Sequence, residues 1–295
     1  MRKSKITDTK QKWAIFFCLP NILFFIVFFI VPATLGISYS LTNYNGLSRM
    51  DFVGLANYAK LFHDQEFYKV LLNTIKFTVV SVPIAYIVSM LLALLLSDTM
   101  VKGTTAMRIF IYWPTLLSTI MVGLTWKWLF GEDFGVVNYV LRLMHMQPIH
   151  WMTTSHFAFL TTISAYVWSG CGTNMLIFIG GIQQIPQSLH DAAKIDGASK
   201  WQDFIHITVP GLSAVSFMII ILTTISSFKV FAMVLTLTNG GPGTSTTYLI
   251  QYIYQKGFDK MQVGYSSAAS MVMFFVLIVL SIFYTKYNTK KEMGN

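Results

Sequence analysis

Charged residues are scarce in this sequence. Asp, Glu, Lys and Arg make up only 11% of the 295 residues, whereas hydrophobic residues make up 54%. An ordinary soluble domain has about 25% charged residues, and a soluble fold of this length could not cover its surface with so few. The scarcity excludes a soluble globular protein and indicates a protein that lies in a membrane.

Disulfide frameworks and catalytic motifs are also missing. The two cysteines, Cys18 and Cys171, both lie in apolar segments and cannot form a disulfide framework. The sequence has no Gly-rich phosphate loop followed by Lys-Ser/Thr, which excludes an ATPase, and it has no metal-ligand cluster or nucleophile triad. The net charge is +9, but the basic residues do not form the aromatic-interleaved patch of a nucleic-acid-binding protein. We expect no enzymatic activity, no cofactor in this chain and no nucleic-acid partner.

Several apolar stretches are long enough to cross the hydrocarbon layer, which takes about 20 helical residues. Six qualify, approximately residues 13–41, 70–97, 107–130, 156–181, 211–237 and 263–285. Basic residues precede the first stretch, as in a signal peptide, but the uncharged run that follows is far longer than a cleavable apolar region. We expect an all-α membrane protein with six transmembrane helices, and a single transmembrane domain over residues 1–295.

The distribution of basic residues predicts the orientation in the membrane. If the N-terminus is cytoplasmic, the inner segments hold 12 Lys and Arg and the outer loops hold 6, while each side holds 6 acidic residues. An excess of Lys and Arg marks the cytoplasmic side. We therefore expect both termini in the cytoplasm.

The inner loop over residues 182–210 has the pattern of two short helices. Pro186 stands where a helix begins, and Gly197 stands where its C-terminal cap would lie. Ser199 can cap a second helix, which carries Trp201 and ends before Pro210. One face of the first helix shares small or apolar side chains and ends in a carboxylate: Leu189, Ala192, Ala193 and Asp196. This face suits docking to a partner, although a simple connector that packs on its own protein fits the composition equally well.

The same loop resembles the signature of permease subunits of bacterial ATP-binding-cassette importers. That signature is Glu-Ala-Ala, three residues, Gly, nine residues, Ile, one residue, Leu-Pro. Here it runs Asp191-Ala192-Ala193, Gly197, Ile207 and Val209-Pro210, with every spacing kept. The sequence departs from it at Asp191, which replaces Glu, and at Val209, which replaces Leu.

Further segments are similar to the sugar-importer branch of that family, whose members pair as two different subunits, like the maltose-type and multiple-sugar-type permeases. They are residues 52–58, 113–114, 123–130, 228–231 and 238–243, and the resemblance extends over nearly the whole chain, from about residue 13 to 285. Ala232 stands where this branch often has Asp, so a substrate contact from that carboxylate is not expected here.

The resemblance implies a bacterial cytoplasmic (inner) membrane protein that imports a sugar, with an oligosaccharide as the expected substrate, and that forms half of the translocation pathway. Its partners would be a second related permease, two cytoplasmic ATPase subunits that bind ATP and Mg, and an external sugar-binding protein. Residues 187–200 would form the coupling helix that sits in a groove of the ATPase. The coupling residues would be Leu189, Asp191, Ala192, Ala193, Asp196, Gly197 and Ala198.

Polar residues within the spans are candidates for the substrate pathway. Of the lysines there, Lys76 and Lys127 can reach the membrane surface with their long side chains, whereas for Lys229 this explanation and a polar cavity are equally plausible. Two pairs of residues carry aromatic, hydroxyl or amide groups of the kind that bind sugars and are further candidates: Trp168 with Asn174, and Tyr112 with Trp113. Ser227, beside Lys229, completes the set. The sugar may instead bind mainly to the partner subunit.

Two rival functions remain open on the sequence. Within the same superfamily the substrate could be a glycerol phosphate. In a different class, the chain could be a stand-alone channel or secondary carrier, although many carriers contain inverted repeats and none is visible here.

Overall fold

A computed structural model describes residues 5–48, 50–97 and 103–293. Within these residues the fold is helical, and the β-structure is limited to a bridge between Thr42 and Phe52. Four basic residues that contribute to the predicted charge asymmetry, Arg2, Lys3, Arg49 and Lys102, lie outside the described residues. The predicted all-α membrane fold is confirmed.

The helices are numbered in chain order. They are α1 (Lys5–Phe25), α2 (Val31–Ser40), α3 (Ala56–His63), α4 (Gln65–Ser97), α5 (Thr104–Tyr112), α6 (Thr119–Leu129), α7 (Val136–Leu143), α8 (Ser155–Ile182), α9 (Gln187–Ile195), α10 (Lys200–Asp203), α11 (Val209–Gly211), α12 (Ser213–Phe228), α13 (Ala232–Leu237), α14 (Leu249–Tyr254) and α15 (Val263–Met293). Wider π-helical turns over Ile26–Ile30, Phe204–Thr208 and Gln255–Asp259 join neighbouring helices.

Four helical segments are continuous and apolar enough to cross a membrane. They are Ile15–Ser40, Gln65–Ser97, Ser155–Ile182 and Val263–Lys286, which correspond to the first, second, fourth and sixth predicted spans. Two further pairs qualify only when each is taken together: Thr104–Leu116 with Thr119–Leu129, bent by 102°, and Lys200–Gly211 with Ser213–Phe228, bent by 66°. The total is six if each bent pair is one span, so the six-span count stays a prediction.

The predicted third and fifth spans are interrupted. A 3₁₀ turn over Trp113–Leu116 contains Pro114, and the chain is then extended at Leu117 and Ser118, because proline lacks the N–H group that a continuing helix needs. The fifth span, predicted over 211–237, stops at Phe228 and resumes at Ala232.

The chain divides into two compact units, which we describe separately. The first comprises residues 1–64 and 253–275. Within it Asn57 Nδ2 donates to the carbonyl oxygens of Ser40 and Thr42 at 2.8 and 2.7 Å, and Tyr265 donates to Asp64 at 2.7 Å. The two Asn57 bonds fasten the outer loop to the end of the first span, and the Tyr265 bond fastens it to α15. The apolar side chains of the first span are exposed along its length.

The second unit comprises residues 65–252 and 276–295 and contains the main core. Helix α4 packs against α8 and α12, and α6 packs against α13. Three alanines are fully buried in this core: Ala93 on α4, and Ala158 and Ala165 on α8. Small residues at such positions let helices approach closely, which is how helices associate in lipid.

Candidate functional site

The loop between α8 and α12 forms the two-helix arrangement that the sequence predicts. Pro186 is the residue before α9, which runs from Gln187 to Ile195. Ser199 caps α10, and its side chain and that of Gln202 form a reciprocal capping box, with Gln202 Oε1 accepting from the Ser199 N–H at 2.8 Å. The second helix does not end before Pro210 as predicted: π-helical turns carry it to Gly211, with Pro210 in the first turn of α11 where its missing N–H is tolerated.

Gly197 terminates α9 with a left-handed turn. Its φ is +76°, a conformation that costs an L-residue about 1–2 kcal/mol. The N–H of Gly197 donates to the carbonyl of Lys194 at 3.2 Å, and the N–H of Ala198 donates to the carbonyl of Ala193 at 2.9 Å. These bonds are the Schellman termination of a helix, and they set the direction in which the chain leaves α9.

A side-chain pair braces the two halves of the loop. His190 Nδ1 on α9 lies 2.8 Å from Asp203 Oδ1 and 3.0 Å from Asp203 Oδ2, and both side chains are largely covered. The pair joins residues on both sides of the Gly197 bend, so it holds α9 and α10 at a fixed angle.

The predicted coupling residues lie on an exposed helix. Leu189, Asp191, Ala192, Asp196 and Gly197 are exposed, and Ala193 and Ala198 are half-buried. Two exposed apolar residues of this loop were not among the predicted coupling residues: Ile195, which is 86% exposed, and Trp201, which is 67% exposed. The signal that would have found them is an apolar side chain in an otherwise polar inner loop.

Among the residues that the structure describes, the partners of the Asp191 carboxylate lie on its own helix. Gln187 Nε2 donates to Asp191 Oδ1 at 3.2 Å, and Lys194 Nζ lies 3.7 Å from the same oxygen. Both members of the Asp191–Lys194 pair are well exposed, and such surface pairs stabilise a protein by at most about 1 kcal/mol. The carboxylate therefore remains available to a basic partner.

The second unit also contains a half-open cavity of about 780 Å³. Its apolar lining comes from α4, α6, α8 and the α12–α13 region, and its polar lining is formed by hydroxyl groups, one amide and one amine. Tyr166 donates to the Thr223 carbonyl at 3.0 Å, and Asn174 Nδ2 donates to Thr223 Oγ1 at 3.3 Å. The remaining polar lining residues are Thr115, Thr119, Ser169, Thr173, Ser226 and Lys229.

The structure brings two of the predicted pathway residues together in this cavity, Asn174 and Lys229. The other predicted pathway residues lie elsewhere. Trp113 is 63% exposed and Trp168 is 37% exposed, Trp168 packing edge-on against Trp126, and Tyr112 is half-buried outside the lining. Ser227 is fully buried against α4, with its hydroxyl 2.9 Å from Thr78 Oγ1; the neighbouring Ser226 faces the cavity instead.

Lys229 lies at the break between α12 and α13. It is the C-cap of α12, and Phe231, two residues later, has φ −147° and ψ −74°, which ends the helical path. A lysine at the centre of a membrane helix costs about 2.5–3.5 kcal/mol, and placement at a helix C-terminus returns about 0.3–1 kcal/mol. The cost exceeds the return, so a polar environment is favourable for the exposed amine of Lys229, and the cavity supplies that environment.

An acidic side chain organises the loop between α6 and α8. Glu132 accepts from the N–H groups of Met152 and Thr153 at 3.0 and 2.9 Å, and lies 2.9 Å from His150 Nδ1. Partial burial raises the pKa of Glu132, but the hydrogen bonds from His150, Thr153 and Met152 outweigh it and lower the pKa from 4.5 to about 2. Among the residues the structure describes, no group of His, Cys, Asp and Glu could hold a metal ion.

Comparison with known proteins identifies relatives of this architecture. The family model described as "Binding-protein-dependent transport system inner membrane component" matches residues 53–292. The arabinooligosaccharides transport system permease protein of Bacillus subtilis (strain 168) is 32% identical, over 90% of this chain and 85% of that protein. The sn-glycerol-3-phosphate transport system permease protein of Agrobacterium fabrum (strain C58 / ATCC 33970) is 31% identical, over 92% of this chain and 93% of that protein.

The fold has a counterpart among solved structures. A chain of a bacterial ABC transporter involved in the import of the acidic polysaccharide alginate superposes with a TM-score of 0.85 at 22% identity, covering 96% of this chain and 98% of that one. The family match extends over most of the chain, including the cavity and the α9–α11 loop. This protein therefore belongs to the family of inner membrane components of binding-protein-dependent transport systems.

Proposed function

We propose that this chain is the permease subunit of an ATP-driven importer that takes up a sugar, most simply an oligosaccharide. It would form half of the translocation pathway, and a second, related permease would form the other half. The family match supports the transport role, and the arabinooligosaccharide relative supports the substrate class. The hydroxyl and amide groups of the cavity are the groups that bind sugar hydroxyls, and the cavity is large enough for a small saccharide.

The single observation that carries the coupling role is the exposed helix α9. Leu189, Ala192 and Ile195 recur at three-residue intervals and are all exposed. Two cytoplasmic ATPase subunits would bind ATP and Mg, and one of them would receive α9 in a groove. Closure of the ATPase pair on ATP would then move α9 and switch the permease pair between its inward-open and outward-open states, which is a two-state equilibrium biased by nucleotide.

The proposal includes a location for the chain and an orientation in the membrane. The chain would lie in the bacterial cytoplasmic membrane with both termini in the cytoplasm, because 12 basic residues fall on the inner side and 6 on the outer side. In this orientation α9 faces the ATPases, and the loops on the opposite side face an external sugar-binding protein.

A glycerol phosphate is the second candidate substrate. The relative from Agrobacterium fabrum that bears the glycerol-3-phosphate name supports it, and Lys229 in the cavity wall is a group that would bind a phosphate. A stand-alone channel or carrier is disfavoured, because such a protein has no use for an exposed apolar helix at the membrane surface.

The assembly can be tested by gentle purification of the tagged chain from its own cells. We expect an ATPase, a second permease and a binding protein to copurify, and uptake of a panel of sugars and glycerol phosphates to depend on ATP. Recovery of this chain alone, under conditions that preserve other importers of the family, would contradict the proposal and favour the carrier.

The docking face can be tested separately with Ile195→Glu. The side chain is 86% exposed, so the added charge leaves the chain folded while placing a carboxylate in the proposed groove. We expect ATP-dependent uptake to fall at least about tenfold, since burying an unpaired charge costs several kcal/mol. Gln184→Glu adds the same charge to an exposed position of the same loop and should leave uptake unchanged. Equal uptake by the two variants would refute docking through α9.

A further inference from the structure

The cavity in the second unit is electrostatically one-sided. Of the described residues that line it, Lys229 alone is charged, and none of them is Asp or Glu. The other polar groups are neutral hydroxyls and the amide of Asn174. Charge in such a partly closed, low-dielectric space acts on a solute more strongly than charge on an open surface does.

The amine of Lys229 has no counter-ion among the residues that the structure describes. Across residues 5–48, 50–97 and 103–293 no carboxylate forms an ion pair with it. Ala232 lies three residues further along and also lines the cavity, and its side chain is a methyl group, which brings no charge to the wall. The neutral groups nearby offer dipoles but no negative charge.

Resting on the proposed function, we propose that Lys229 binds an anionic group of the transported molecule. The substrate is then an acidic saccharide or a sugar-like phosphate ester: its carboxylate or phosphate pairs with Lys229, and its hydroxyls bond to Asn174, Thr223 and Ser226. A neutral oligosaccharide would satisfy the hydroxyls and the amide but would leave the cation unpaired. An anion satisfies both the neutral groups and the cation, and hydrogen bonds between charged groups are stronger than those between neutral ones.

The test uses the complete importer purified from its own cells and placed in proteoliposomes with its binding protein. Three radiolabelled probes are offered with ATP inside: trigalacturonate as the carboxylate, glycerol 3-phosphate as the phosphate ester, and maltotriose as the neutral saccharide. We expect one of the two anions to be the preferred probe, and which one is preferred identifies the anionic group.

Permease variants then assign the preference to this residue, because every sample contains the same binding protein. Lys229→Gln should lower uptake of the preferred anion about tenfold, as expected for loss of a charge-assisted bond, and Lys229→Arg should retain most of it. Ala232→Asp should also lower it, because the new carboxylate competes for the amine. Lys76→Gln removes an exposed lysine from α4 outside the cavity and should have no effect.

The outcomes separate this inference from the proposed function. Preference for maltotriose, with ATP-dependent uptake intact, overturns the anionic site and leaves the importer proposal standing. An equal loss of all uptake in Lys229→Gln and Lys229→Arg also overturns it, because the residue would then serve packing against the second permease. Failure of the wild-type importer to take up any of the probes contradicts the proposed function itself.

Discussion

Substitution of Gly197 isolates the geometry of the α9 turn from its packing. The residue has φ +76°, and a Cβ added there would meet no atom within 4 Å. Within this chain, any effect of Gly197→Ala therefore comes from backbone strain and not from a collision. The expected cost is about 1–2 kcal/mol for Ala in the left-handed region, and less for Asn, which adopts that region more readily.

Proline at this position has two defects. It fixes φ near −65°, far from the observed value, and it removes the N–H that donates to the Lys194 carbonyl. A cost of about 3 kcal/mol or more follows. Since a change of 1–2 kcal/mol alters a two-state ratio by a factor of about 5–30, uptake should be near normal for Gly197→Asn, several-fold lower for Gly197→Ala and lost for Gly197→Pro.

The assay is ATP-dependent uptake by cells that lack the native chain, normalised to the amount of variant in the membrane. Gly103 provides the matched control, because its φ is +86° and a Cβ added there would also meet nothing within 4 Å. Unlike Gly197, it lies before α5 and outside the loop over residues 182–210. Gly103→Ala carries the same strain and should leave uptake within about twofold of the wild type. Normal uptake by Gly197→Pro, or equal losses in both alanine variants, would refute the reasoning.

Two further predictions concern packing and pH. Gly123→Ala on α6 would drive a Cβ into a backbone carbonyl of α13, so it should destabilise the protein by about 3 kcal/mol in thermal unfolding. Gly180→Ala on α8 is the control, because a Cβ there meets nothing within 4 Å and the stability should not change. Similar unfolding midpoints for the two variants would contradict this prediction. Because Glu132 has its pKa lowered to about 2, its contribution is complete above pH 4.5 and is lost as the pH falls toward 2. The ratio of pepsin cleavage of the loop over residues 131–154 in the wild type to that in Glu132→Gln should therefore rise as the pH falls across that window, the variant correcting for the pH dependence of pepsin itself.

The helical segments were predictable because each depends on local composition. Long apolar runs indicate membrane helices whatever their neighbours are, and four of them are continuous close to the predicted ends. The interruptions at Leu117 and at Lys229–Phe231 were not predicted, because hydropathy does not register a break between two apolar halves. The predicted role as a transport subunit, and not an enzyme, is confirmed by the family.

The structure of the loop over residues 182–210 was more predictable from the sequence than the lining of the cavity. Its turns follow from Pro186, Gly197 and Ser199, which act on the nearest few bonds, and the capping box confirms the prediction for Ser199. The polar lining of the cavity depends on which of two adjacent serines, Ser226 or Ser227, faces inward, and the packing of α12 on α4 decides this. Sequence spacing alone did not place Ser226, instead of Ser227, in the wall.

Exposed apolar side chains in this protein have two different meanings. Those of the first span lie on a helix long enough to cross a membrane, where lipid tails cover them and no protein partner is needed. Leu189 and Ile195 lie on α9, a nine-residue helix with exposed polar neighbours, so they face water. Burying a Leu or an Ile side chain contributes about 1.5–3 kcal/mol, so a groove that accepts both would gain roughly 3–6 kcal/mol. Such a contact would hold α9 firmly enough for a moving partner to displace it, as the proposed coupling to an ATPase requires.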